Sequence, residues 1–188
     1  MKRLHYNAPV ILTFFLLCLG ALLLGALSRG WTTLHLFSVY RAPLSPLFLV
    51  RLLGHVLGHA DWDHFLGNML LLLVAGPPME EKYGSRALLL GIGLTALISG
   101  VLQCLFFPGT VLLGASGIVF MLIMLSSLAG MKEGKIPLTL ILVGVLYLGQ
   151  EVYSMLFVRD SVANLMHIVG GVCGTVFGFA AGKKRAAY

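Results

Sequence analysis

Four groups of polar side chains stand inside or beside long apolar blocks of this sequence. His55, His59, His64 and Asn68 cluster at the start of one block. Ser116 lies in Gly114-Ala115-Ser116-Gly117 at the start of another, and His167 lies inside a third with Asn164 one turn earlier. Gln150-Glu151 comes towards the end of a fourth. A serine and a histidine are the minimum set for nucleophilic acyl transfer, because the imidazole must take the hydroxyl proton from about 2.6–3.2 Å away. His64 and Asn68 are four residues apart and share one helical face, so both can offer donors to the same point.

The glycines supply a way to bring serine and histidine together. Gly170, Gly174 and Gly178 recur every four residues, and the first two follow His167 by three and seven positions. They form a smooth ridge on roughly the His167 face, of the kind that lets two helices approach closely in lipid. Gly114 and Gly117 flank Ser116 with matching small surface. Close packing of these two helices would carry His167 to the Ser116 hydroxyl. The same periodicity also admits pure packing, with Ser116 bonding only its own helix. No Asp or Glu lies within a helical turn of His167, so a dyad is the economical arrangement. A serine at a helix start has free backbone N–H groups beside it for a developing oxyanion, and Asn68 and His64 could add side-chain donors.

The elements that must position these residues are membrane helices. Of 188 residues, 59% are hydrophobic and 11% charged, against about 25% charged in soluble domains. A soluble fold of this length cannot bury so much apolar surface. Six blocks are each about long enough to span: 9–27, 62–79, 87–107, 112–131, 136–157 and 162–182. The first shows no clear small-x-small cleavage site and reads as a retained span. With the N-terminus inside, the inner segments hold Lys2, Arg3, Lys82, Arg86, Lys132, Lys135, Lys183, Lys184 and Arg185. The outer ones hold Arg29, Arg41, Arg51 and Arg159. That asymmetry sets both termini in the cytoplasm. The net charge of +6 is dispersed between apolar blocks, so it does not indicate nucleic acid. Cys18, Cys104 and Cys173 lie apart within apolar blocks and read as small core residues. The segment from Ser28 to Asp61 is too apolar for disorder, and its aromatics place it partly in the outer headgroup zone.

With these residues in view, the chain resembles the rhomboid intramembrane serine proteases in their minimal six-helix bacterial form. The matching text is His59-Ala-Asp-Trp-Asp-His64-Phe-Leu-Gly-Asn68, Glu80-Glu-Lys-Tyr-Gly84-Ser85, Gly114-Ala-Ser116-Gly117 and Ala163-Asn-Leu-Met-His167-Ile-Val-Gly170. The resemblance implies one all-α, six-span bundle through residues 1–188 with a membrane-embedded first loop. It implies Ser116 as nucleophile and His167 as general base and acid. Asn68, His64 and the Ser116 N–H would hold the oxyanion, with Gly114, Gly117, Phe120, His59 and Gly170 in support. Its substrates would be the transmembrane segments of single-span proteins in the bilayer, cut without metal or cofactor. Gln150 and Glu151 would sit on the helix associated with lateral substrate admission. The compact form suggests the inner membrane of a bacterium.

Two positions depart from the family pattern. Val50-Arg51 replaces a frequent Trp-Arg, which puts a loop-anchoring contact in question. Phe120 stands where many relatives have Tyr, which keeps a ring to pack on His167 and loses a hydroxyl. Three rival readings compete. A haem or metal protein using His64 with His167, or His55 with His59, lacks the Glu of an H-E-x-x-H motif and has no nearby Cys. A transporter should show internal repeats, and none is visible. A catalytically inactive rhomboid-like binder of client helices typically lacks the Ser or the His, and this chain keeps both.

Overall fold

A computed structural model describes residues 5–129, 135–149, 153 and 161–185. Among them the chain is all-helical. Helix α1 spans Pro9–Leu27, α2 Trp31–His35, α3 Pro46–Gly54, α4 Trp62–Tyr83, α5 Ser85–Phe106, α6 Ser116–Ser127, α7 Leu138–Val143 and α8 Ser161–Arg185. A 3₁₀ turn, His55–Leu57, follows α3, and a π turn, Gly144–Leu148, follows α7. Three of the described helices are long and apolar enough to cross a membrane: Pro9–Leu27, Ser85–Phe106 and, within α8, Val162–Ala181. The 22 residues of α4 have the length, but His64, Asn68 and charged residues at both ends interrupt its hydropathy.

Several element boundaries differ from the sequence expectation. The fourth block does not begin its helix at 112. Leu112 pairs in both directions with Val39 at 2.9 Å, and Gly114 adopts a φ of +125° that only glycine takes comfortably. The helix therefore starts at Ser116 and is 12 residues long. The second block does not end at Pro77-Pro78 but runs through both prolines to Tyr83, where Gly84 turns the chain at φ +85°. Consecutive prolines in an apolar helix are tolerated when neighbours satisfy the freed backbone groups. The fifth block is described only as α7 and its π turn, and Gln150 and Glu151 lie outside the described residues.

Helix α6 is the hub. Ile118, Met121, Leu122 and Leu125 are fully buried, and α4, α5, α7 and α8 pack around it. Helix α1 packs on α4, and its N-terminus is held from 70 residues away. Both Glu80 carboxylate oxygens accept from Val10 N–H (2.9 and 3.1 Å), one also accepts from Ile11 N–H (3.0 Å), and Ser85 Oγ donates to the other at 2.7 Å. A charged acceptor at a helix N-terminus satisfies orphan donors and the helix dipole together. Glu80→Ala should therefore cost about 2–4 kcal/mol, seen as a fall of several degrees in the thermal midpoint in detergent. Glu80→Gln should fall less, and an unchanged midpoint for Glu80→Ala would contradict the capping role.

The first loop is folded rather than strung out. Buried Arg51 donates from Nε to the His35 carbonyl at 2.8 Å, and its guanidinium lies 4.5 Å from the Tyr40 ring centre. Val50 faces outward, 54% exposed, so the Trp-to-Val departure leaves this anchor intact. Close approach seats the loop on α5: a Cβ on Gly100 would lie 2.9 Å from the Leu52 carbonyl.

Candidate active site

Ser116 is the first residue of α6, preceded by buried Ala115 and by Gly114 in its left-handed conformation. That turn delivers the serine to the helix end, where the N–H groups have no helical acceptor. The His64 ring occupies the space a Gly114 side chain would fill. A Cβ there would stand 2.9 Å from both His64 Cε1 and Nε2 and 3.9 Å from Ser116 Oγ. The imidazole edge and the serine hydroxyl thus border one small volume.

His64 is placed by its helix start. Asp61 caps α4, accepting the His64 backbone N–H at 2.8 Å. His59 meets the His64 ring edge-on at 5.0 Å between centroids and Phe65 at 5.4 Å. Its Nδ1 faces the Leu57 carbonyl at 3.2 Å, as a donor in that tautomer. Asn68 lies one turn beyond His64 on the same face. It is 7% exposed, and its Nδ2 has no hydrogen-bond partner among the described residues. A buried unpaired donor is costly, and an oxyanion in the same cleft would satisfy it.

The predicted seam between the serine and histidine helices is present. A Cβ on Gly170 would strike the Gly117 carbonyl oxygen, one on Gly174 the Met121 carbonyl oxygen, and one on Gly178 the Leu128 side chain. From the other side, Gly117 faces the Met166 carbonyl, 3.5 Å from its Cβ position. The His167 ring lies flat on Phe120, with centroids 4.4 Å apart and planes 7° from parallel. Phe120 is one turn after Ser116, so the stack holds the imidazole against the face of α6 that begins with the serine. Phe120→Tyr keeps this contact. If the site has the catalytic role that the resemblance implies, Phe120→Tyr should leave cleavage present, and its abolition in an activity assay would count against the stacking role.

The structure also brings in residues that were not singled out from sequence. Thr95, Ser99 and Gln103 follow one another every four residues along α5, all at most 4% exposed. Ser99 Oγ lies 3.3 Å from His55 Nε2, and Gln103 Nε2 donates to Thr110 Oγ1 at 2.8 Å. His55 and Ser99 line a small cavity together with Ser116, Gly117 and Met166. Burial pushes the His55 imidazole down to about 4, so it is neutral at physiological pH. The spacing of three polar residues within an apolar block was the available signal. Among the described residues, no group of three or more His, Cys, Asp or Glu converges as a metal site would require.

A helix-start serine, opposed across a glycine seam by a histidine on an apolar helix, defines a class of membrane bundle. Comparison with known proteins gives the family. Residues 47–184 match the family model described as Rhomboid domain, and the chain belongs to the rhomboid family. The Pectobacterium atrosepticum protein named Rhomboid protease GlpG is 27% identical over 175 residues, which is 91% of this chain and 62% of that protein. Rhomboid-related protein 1 of Caenorhabditis elegans is 33% identical over 141 residues, covering 69% of this chain and 39% of its own. RHOMBOID-like protein 4 of Arabidopsis thaliana is 36% identical over 132 residues, covering 64% and 31%. The chain therefore spans less than two thirds of the length of each of these relatives. Family and apolar helices together make it a multi-pass membrane protein.

Proposed function

We propose that this protein is an intramembrane serine endopeptidase that cuts the transmembrane segments of single-span proteins. The observation that carries the reading is the His167–Phe120 stack one turn from Ser116, on two helices locked by the Gly170–Gly117 contact. In this reading Ser116 Oγ attacks the scissile carbonyl while His167 takes its proton. The tetrahedral oxyanion accepts from the Ser116 N–H, Asn68 Nδ2 and His64. His167 then returns the proton to the leaving amine, and water, activated by the same imidazole, hydrolyses the acyl-enzyme. The likeness to the bacterial protein named a rhomboid protease supports this activity.

The proposed arrangement has six spans, with α7 and the chain after it forming the fifth and both termini cytoplasmic in a bacterial inner membrane. At 1.5 Å per residue, α6 is only about 18 Å long in a core about 30 Å thick. A serine at its outer end would then sit below the outer surface, in reach of water admitted among His59, His64 and Asn68. Because an unwound substrate exposes backbone groups that lipid cannot satisfy, helix-breaking residues near the cut should speed cleavage.

Removing the Asn68 amide by Asn68→Ala should lower kcat by about 10²–10³-fold with a small change in KM, since one such donor acts mainly in the transition state. A loss confined to KM would assign Asn68 to substrate binding instead. The reading as a whole is tested in proteoliposomes with a single-span substrate carrying Gly and Pro near one end of its helix. Cleavage mapped by mass spectrometry to within or beside that helix, and slowed when Leu replaces Gly and Pro, is expected. A folded protein that cuts nothing, or cuts equally well as Ser116→Ala, would overturn it.

A further inference from the structure

Where α1 ends, the chain encloses a cavity of about 430 Å³, within the size range of small-ligand sites. Its walls come from Gly25 and Ala26 in the last turn of α1, Leu34 of α2, and the stretch from His59 to Trp62 that opens α4. Because α1 is an apolar span, a cavity at its end lies at the level of lipid headgroups. Trp62 is exposed there, as aromatic side chains are at a membrane boundary.

The polar groups on these walls differ in charge and in hydrogen-bonding sense. Arg29, in the turn after α1, brings a guanidinium, and Asp61 brings a carboxylate. Among the described residues the two form no ion pair with each other. Asp61 Oδ1 accepts the His64 N–H, which leaves Oδ2 for another donor. His59 is 1% exposed, and its Nε2 has no hydrogen-bond partner among the described residues. With Nδ1 turned to the Leu57 carbonyl, Nε2 is the acceptor nitrogen of the ring. Burial pushes the His59 imidazole down to about 4, so the ring stays neutral at physiological pH and keeps that lone pair. The Asp61 charge is felt at the same ring, where it opposes the effect of burial. Ser38, the other buried polar side chain in the lining, gives its proton to the Thr33 and Leu34 carbonyls at 2.9 and 2.7 Å.

An anionic oxygen and a neutral nitrogen lone pair on one wall call for a cation with several N–H donors. A primary ammonium has three, and a quaternary ammonium has none. The guanidinium lining the same cavity suits a phosphate, which it can hold through two parallel hydrogen bonds. We infer that this cavity binds the headgroup of a phospholipid with a primary ammonium, its phosphate on Arg29 and its ammonium between Asp61 Oδ2 and His59 Nε2. Phosphatidylethanolamine is the simplest such lipid. Leu22, Ala26 and Leu34 take the glycerol end, and the exposed Leu23 and Leu16 continue along α1 for the acyl chains. The site does not depend on whether Ser116 is catalytic.

Native mass spectrometry of the detergent-purified protein, titrated in parallel with dioleoyl phosphatidylethanolamine and dioleoyl phosphatidylcholine, tests it. The two lipids share chains and phosphate and differ only in the methyl groups on nitrogen. A single phosphatidylethanolamine adduct at several-fold higher occupancy than phosphatidylcholine is expected. Asp61→Asn keeps a side chain that caps α4 and should reduce phosphatidylethanolamine to the phosphatidylcholine level. Arg29→Asn suits the φ of +54° at this position and should lower phosphatidylethanolamine occupancy several-fold. Arg41→Gln removes an exposed charge elsewhere on the first loop and should change neither lipid. Equal occupancy of the two lipids would overturn the proposal, as would a preference that survives Asp61→Asn or an occupancy unmoved by Arg29→Asn. Displacement of the lipid by an equal concentration of soluble phosphoethanolamine would overturn its assignment to a membrane lipid. The two variants alter different elements, so the test stays decisive if one of them fails to fold.

Discussion

Replacing Ser116 with alanine is expected to lower proteolysis about 10⁴-fold or more, and His167→Ala to do nearly the same. The double variant should be no worse than either single one. Residues that act as one unit are non-additive, because removing the base leaves the nucleophile protonated and removing the nucleophile leaves the base without a task. The structure gives this expectation its geometry, since Phe120 stacks on His167 and Gly170 abuts the Gly117 backbone. Initial-rate assays on a fixed single-span substrate check it. Independent, multiplying losses for the two variants would mean that Ser116 and His167 do not share a step.

The second large effect is expected at Gly170. A methyl group there would lie 2.8 Å from the Gly117 carbonyl carbon and closer still to its oxygen, against backbone that cannot rotate away. Gly170→Ala must push α8 off α6, at a cost of about 1–3 kcal/mol or more in overpacking. Because the same seam carries His167, a displacement of about 1 Å should also cost roughly 10²-fold in rate. Gly93 provides the contrast. Nothing lies within 4 Å of its Cβ position on α5, so Gly93→Ala should stabilise by up to about 1 kcal/mol through helix propensity. Thermal melts paired with rate measurements check both. A Gly170→Ala protein as stable and active as wild type would remove the seam from the account.

What the sequence discloses and what it hides divide along physical lines. The seam was legible because a four-residue glycine period is a one-dimensional signal of helix approach, and it pointed to His167, Gly170 and Gly117 together. The ring at position 120 came into view only through the family resemblance, as the place where many relatives have Tyr, and the structure shows it stacked on His167. The start of α6 was not legible, because it depends on Leu112 pairing with Val39, 73 positions earlier, and on the conformation of Gly114. Nor was the passage of α4 through Pro77-Pro78, since a proline pair reads locally as a stop. The first loop owes its fold to contacts made at a distance in sequence, such as Arg51 to the His35 carbonyl and Gly114 N–H to the His55 carbonyl at 2.9 Å. The Glu80 motif was recognisable as text, but its capping of α1 appears only in three dimensions. Thr95, Ser99 and Gln103 carried a readable period within an apolar block, and only burial beside His55 shows what it serves.

Fluorophosphonate labelling of the purified, folded protein tests most directly whether Ser116 is a nucleophile activated by His167. Wild type should be modified once, on the peptide containing Ser116, and both Ser116→Ala and His167→Ala should remain unlabelled while keeping their thermal midpoints. Unlabelled wild type, or label that persists in Ser116→Ala, would contradict the account and favour a rhomboid-like protein that holds client helices without cutting them.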